Sequence, residues 1–173
     1  MAKATIPAKV HAELNRQVSQ ELAAAHGYHA AAIWSEARNL RGCAEFFHKQ
    51  ADEERKHAAK IIKHLIDRGA EVELAAVPAP KQDFDSLLSL ALNVQAMEKA
   101  NTAGIHSVYE AALAAKDYPG QVLMHWFINE QVEEEKWSAE FVQRVQAASC
   151  AGSLAALDRH LMDFLVEDEA GKS

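Results

Sequence analysis

The chain has 173 residues, 49% of them hydrophobic, and a formal net charge of −7. That length suits one domain over 1–173 with a core of its own, and the apolar content excludes a disordered chain. The acidic balance argues against a nucleic-acid partner, and no apolar run is long enough for a membrane partner or span.

The opening stretch "MAKATIPAKV" lacks the apolar core of a signal peptide. Cys43 and Cys150 form neither a disulfide framework nor a metal pair. The expected location is therefore the cytoplasm.

The first predicted helix runs from Pro7 to about Asn39, on an apolar stripe of Val10, Leu14, Val18, Ala25, Tyr28 and Ala32. "NLRG" breaks it. A second helix runs from about Cys43 to Arg68 and ends at Gly69, a C-terminal cap. "AEVELAAVPAPKQDF" is too irregular for a helix and long enough to cross the length of a bundle. Asp83 or Asp85 is placed to cap a third helix through about Lys116. "DYPG" is a turn, and Pro119 opens a fourth helix ending near Ser149. A short amphipathic segment follows from Ser153, with Leu154, Leu157, Leu161 and Phe164 on one side. The expected fold is all-α: a four-helix bundle with one long crossover and a short fifth helix.

Each long helix breaks its own apolar seam with a polar group. Glu21 lies between Val18 and Ala25. Glu54 and His57 interrupt the stripe from Phe47 to Ile61. Glu98 replaces an apolar residue in the stripe Leu87, Ala91, Val94, Ile105, Val108 and Ala112, with Asn101 between. Gln131 and Glu134 interrupt the stripe from Phe127 to Phe141. The spacing repeats: Glu21 lies 33 residues before Glu54 and 36 before His57, and Glu98 stands likewise to Gln131 and Glu134. One offset of 77 residues relates the two sets and also carries Glu53 onto Glu130. Two hairpins of equal design would bring both sets to one depth.

Burying four carboxylates unpaired costs several kcal/mol per ion, whereas two divalent cations cancel four charges. Carboxylates with one imidazole suit iron or manganese better than thiolate-seeking metals. A lone Glu-x-x-His is common on solvated helices; the matched set is not. Tyr28, two turns beyond Glu21, reads either as a core tyrosine or as a donor beside the metals. His26, His64, His106 and His125 read as surface or core groups, and Trp126 and Trp137 as packing. The acidic run "EQVEEEK" places Glu130 and Glu133 beside the seam.

The stretches "LNRQVSQELAAAHGY", "DEERKH", "AMEK" and "DYPGQVLMHWFINEQVEEEK" together resemble the ferritin family, in its bacterial non-haem branch, over nearly the whole chain. The resemblance implies one iron on Glu21, Glu54 and His57, and a second on Glu54, Glu98 and Glu134 with Gln131 nearby. It matches Glu53, Glu130 and Glu133, with Glu134, to a third iron site, and Tyr28 to the tyrosine beside the ferroxidase centre. It implies ferroxidase activity with Fe(II) and O2 or H2O2 as substrates, storage of a ferric oxyhydroxide mineral, and a 24-subunit homo-oligomeric cage. The short fifth helix would pack at its four-fold axes.

Bacterioferritin and rubrerythrin carry a second Glu-x-x-His in the fourth helix, where this chain has Trp137; bacterioferritin's haem-ligating methionine is here Arg55, so no haem is expected. A di-metal oxidase or peroxidase without storage would use the same residues. A DNA-protecting mini-ferritin would place its metals between subunits. One departure is Gly27 within "AAAHGYHAAA", which costs a helix about 1 kcal/mol relative to Ala.

Overall fold

The computed structural model describes residues 6–148 and 150–165, without the side chains of 162–165. Among these residues there are five helices and no strand. Helix α1 spans Ala8–Glu36 and α2 spans Arg41–Asp67. The first helix stops three residues short of Asn39 because Asn39 turns the chain through the left-handed region (φ 60°), and the Leu40 N–H bonds back to the Ser35 carbonyl at 3.0 Å. The second starts two residues before Cys43, since the Leu40 carbonyl already accepts from the Ala44 N–H at 3.0 Å. It ends as expected, with Gly69 at φ 67° just past the last turn.

The segment from Gly69 to Asp85 holds no helix and is pinned to α1 at both ends. Near one end of α1, Asn15 accepts the Glu73 N–H at 2.8 Å. Near the other, the Trp34 indole donates to the Phe84 carbonyl at 3.2 Å. The 19 residues between those anchors correspond to about 28 Å of helix axis. The crossover therefore runs the length of the bundle.

Helix α3 spans Leu87–Ala114, and its cap corrects the sequence expectation: it is Ser86, not Asp83 or Asp85. Ser86 is extended (φ −159°), its hydroxyl accepts the Ser89 N–H at 3.1 Å, and Ser89 answers in a capping box. Only the residue directly before the first turn can reach that amide. Helix α4 spans Tyr118–Ala147 with Pro119 in its first turn. Its expected end at Ser149 lies outside the described residues. Asp117 spends its carboxylate on Arg68 in a two-pronged pair, at 2.7 and 2.8 Å, which ties the end of α2 to the start of α4.

Helix α5 spans Ala151–Leu165. Leu157 and Leu161 are buried against Cys43, Phe46 and Phe47, with Leu154 partly covered; the side chain of Phe164 lies outside the described residues. Leu40 has no acceptor with which to cap α2, and α5 supplies one: Asp158 Oδ1 accepts the Cys43 N–H at 2.9 Å. Gly42 permits the approach, because a Cβ there would lie 1.7 Å from the Asp158 carbonyl oxygen.

Tyr28 packs on Phe47, and Phe47 on Phe141. Further along, His57 packs on Phe127 and faces Glu21. These pairings make α2 antiparallel to both α1 and α4. Glu98 meets Tyr28 and Gly104 meets Arg16, so α1 and α3 are antiparallel as well. At Gly27 a Cβ would come within 2.6 Å of Met97 Cε, so the glycine leaves room for the end of that α3 side chain. No helix among the described residues is long and apolar enough to cross a membrane.

Replacing Gly42 with Ala is expected to destabilise the fold by about 1–3 kcal/mol through overpacking, and to loosen α5 first. Thermal melting and protease cleavage within 151–165 measure it. Wild-type melting with wild-type protection would contradict the close approach.

Candidate metal centre

The bundle interior has two apolar clusters. One is built around Tyr28, Phe47, Leu90 and Phe141, the other around Leu14, Val18, Ile61, Ile105 and Phe127. Between them lies a polar layer in which Gln17, Glu21, Glu54, His57, Glu98, Asn101, Gln131 and Glu134 are all buried. The seam positions marked by the sequence therefore reach one depth.

Three of them converge. Ligand atoms of Glu21, Glu54 and His57 lie within 4.8 Å of one another, among the described residues the one group of at least three metal-binding side chains so placed. His57 Nδ1 stands 3.4 Å from Glu54 Oε2 and 3.8 Å from Glu21 Oε2. Glu54 Oε2 and His57 Nδ1 are buried and have no hydrogen-bond partner. Orphaned buried polar atoms are rare, and two facing each other across a carboxylate pair suit a cation. The His57 ring is held edge-on by Trp126 and Phe127, with centroids at 5.5 and 5.9 Å, and Lys60 lies over Trp126 at 3.8 Å.

The other carboxylates are held by named donors. Glu21 accepts from Gln17 at 2.8 Å and from Asn101 at 3.0 Å. Gln17 fits because Gly104 faces it: a Cβ there would lie 2.4 Å from Gln17 Oε1. Tyr28 donates its hydroxyl to Glu98 Oε1, while Gln131 donates to Glu98 Oε2 at 3.3 Å and to Thr102 at 3.1 Å. Thr102 in turn donates to Glu135 at 2.6 Å. The Trp137 indole donates to Glu134 Oε2. Tyr28 is thus both a core residue, stacked on Phe47, and a donor within the layer.

Burial pushes Glu54 well above the usual carboxylate range, and the charges of Glu21, Glu98 and Glu134 push it further. Burial also raises Glu134 strongly, with the charge of Glu98 added and the Trp137 hydrogen bond opposing. Glu98 is raised by burial against the hydrogen bonds from Tyr28 and Gln131. Burial would raise Glu21 too, but the nearby His57 and Glu54 and the hydrogen bond from Gln17 outweigh it and hold Glu21 low. Burial and the charges of Glu98, Glu134 and Glu54 keep the Tyr28 hydroxyl protonated and donating. The balance thus favours the protonated form at Glu54, Glu98 and Glu134 and not at Glu21.

Glu53, Glu130 and Glu133 are half-buried beside this layer. Glu53 accepts from Gln50 at 3.0 Å, and the charges of Glu53 and Glu130 bear on Glu134. His26, His106 and His125 are exposed, and His64 pairs with Arg68 at 3.3 Å. Sequence reasoning missed Gln17, Thr102 and the hydrogen bond of Trp137. A glutamine one turn before a seam glutamate was the available signal for the first.

The Ferritin family model, described as "Ferritin-like domain", matches residues 11–148. Over 122 residues the chain is 42% identical to a "Bacterial non-heme ferritin" of Staphylococcus aureus, covering 70% of this chain and 74% of that protein. It is 39% identical over the same length and shares to the corresponding protein of Staphylococcus haemolyticus. Among solved structures, an open-pore ferritin from the archaeon Archaeoglobus fulgidus superposes with a TM-score of 0.88 at 31% identity, over 91% of this chain and 98% of that one. A humanized archaeal ferritin gives 0.89 at 28% identity, over 91% and 97%.

The raised Glu54 carboxyl has a measurable sign. Glu54 keeps a proton that the unfolded chain releases, so each pH unit above the ordinary carboxylate range lowers stability by about 1.4 kcal/mol, until Glu54 itself ionises. In metal-free protein, Glu54→Gln is expected to match the wild type near pH 4 and to become progressively more stable than it towards pH 7. Denaturant unfolding at the two pH values reads this; a gap independent of pH would contradict the raised carboxyl.

Proposed function

The chain belongs to the ferritin family, and on that premise we propose that it stores iron and oxidises Fe(II) to Fe(III) at a di-iron centre in the polar layer. One observation carries the reading: two buried, unpartnered ligand atoms, Glu54 Oε2 and His57 Nδ1, face each other beside Glu21. Ferrous iron is the substrate. In this reading Glu21, Glu54 and His57 bind one ion, and Glu54, Glu98 and Glu134 bind the second, with Gln131 alongside. Glu54 serves both, and the four carboxylates balance two divalent charges.

Each residue has a defined task. Glu54 and Glu134 give up their protons as the metal binds, so binding weakens as pH falls. Gln17 and Asn101 hold Glu21, and Tyr28 with Gln131 holds Glu98, so that the ligands need not reorganise. Two Fe(II) release two electrons; dioxygen takes them with two protons to give peroxide, or peroxide takes them with two protons to give water. Glu53, Glu130 and Glu133, half-buried beside Glu134, hold a third ion more weakly, since water competes for it. Ferric product then passes inward to the mineral.

Storage requires an enclosure, and we assign the chain to a homo-oligomeric cage of 24 copies. The whole chain, 1–173, acts as one domain of that cage, in the cytoplasm, where its two free cysteines stay reduced. An oxidase of the same superfamily without storage would share the centre but retain no mineral.

Aerobic loading with Fe(II), followed by particle mass and iron per particle, tests the proposal. The expected result is a large particle retaining far more iron than its centres could bind. Glu54→Ala should slow rapid oxidation by at least about 100-fold while the helices persist. A particle holding only stoichiometric iron, or a Glu54→Ala protein oxidising at the wild-type rate, would overturn it.

A further inference from the structure

We propose that Trp137 is a positioning residue for the second metal position, acting through its indole N–H on Glu134. The inference rests on the iron-oxidising reading above. Trp137 lies three residues after Glu134, hence on the same face of α4. Its nitrogen is a donor only and cannot itself bind a metal. It donates to Glu134 Oε2. The carboxylate is therefore oriented through one of its two oxygens by a fixed donor.

The indole is itself fixed. Its ring meets Phe46 edge-on at 4.8 Å and lies 6.2 Å from the ring of Tyr28. Tyr28 holds Glu98, the other carboxylate of the second position alone. Two touching aromatic side chains thus orient Glu98 and Glu134 from one side of the layer. The first position is held from elsewhere: Gln17 and Asn101 fix Glu21, neither of them touching Trp137, while Glu54 Oε2 and His57 Nδ1 have no hydrogen-bond partner. Loss of the indole N–H should therefore weaken the second ion and spare the first.

Calorimetric titration of metal-free assembled protein with Zn(II), a redox-inert probe, tests this. The wild type is expected to take two tight ions per chain. Trp137→Phe keeps a ring in the same place and loses only the donor; it should weaken the second ion by about tenfold and leave the first unchanged. In a Glu134→Ala background, Trp137→Phe should add nothing, because its effect passes through that side chain. An unchanged isotherm, equal weakening of both ions, or the same loss in both backgrounds would overturn the role of Trp137 alone. A wild type that takes no Zn(II) in the polar layer would overturn the di-iron reading with it.

Discussion

Four carboxylates buried at one depth of a helical bundle set the terms for everything else in this chain. Each would cost several kcal/mol if ionised alone. The fold answers in two ways. It surrounds Glu21, Glu98 and Glu134 with donors from Gln17, Asn101, Tyr28, Gln131 and Trp137. Burial pushes the Glu54 carboxyl well above its usual range, and it faces an unpartnered imidazole. A bundle selected for stability alone would fill those positions with leucine. The layer makes sense as a place that a doubly charged ion enters as protons leave.

The rest of the architecture fixes that layer in register. Apolar clusters on both sides close it off from solvent along the bundle axis. The crossover, hooked at Asn15 and Trp34, lets the second hairpin start from the correct end, so that Glu98 returns to the depth of Glu21. The Arg68–Asp117 pair joins the two hairpins at one end of the bundle. Glycines admit the closest contacts: Gly104 beside Gln17, Gly27 beside Met97, and Gly42 under Asp158. The cost of a glycine inside a helix is about 1 kcal/mol, and at each place a methyl group would collide.

What the sequence made legible was whatever is periodic. The seams of α1 to α4, and the repeat of 77 residues between the two hairpins, mark the buried polar set. The end of α1 and the start of α2 were misplaced by two or three residues, because Asn39 and Leu40 end and begin helices through backbone geometry rather than a recognisable cap. Likewise α3 stops at Ala114, before Lys116 turns through the left-handed region, and α5 starts at Ala151 rather than Ser153. The cap of α3 went to Ser86 because proximity to the first turn outranks the acidity of Asp83 and Asp85. The donors to the carboxylates were the least legible. Trp137 reads as packing, and it does pack, yet its nitrogen happens to reach Glu134. Gly42 owes its identity to a residue more than a hundred positions away, and no local pattern announces such a contact.

The central claim is that this layer binds two metal ions through the carboxylates named. Crystals soaked anaerobically with Fe(II), with diffraction recorded above and below the iron absorption edge, test it directly. The account predicts two anomalous peaks, one among Glu21, Glu54 and His57 and one among Glu54, Glu98 and Glu134, with Glu54 touching both. Anomalous density only at surface carboxylates, with the layer free of iron, would contradict it.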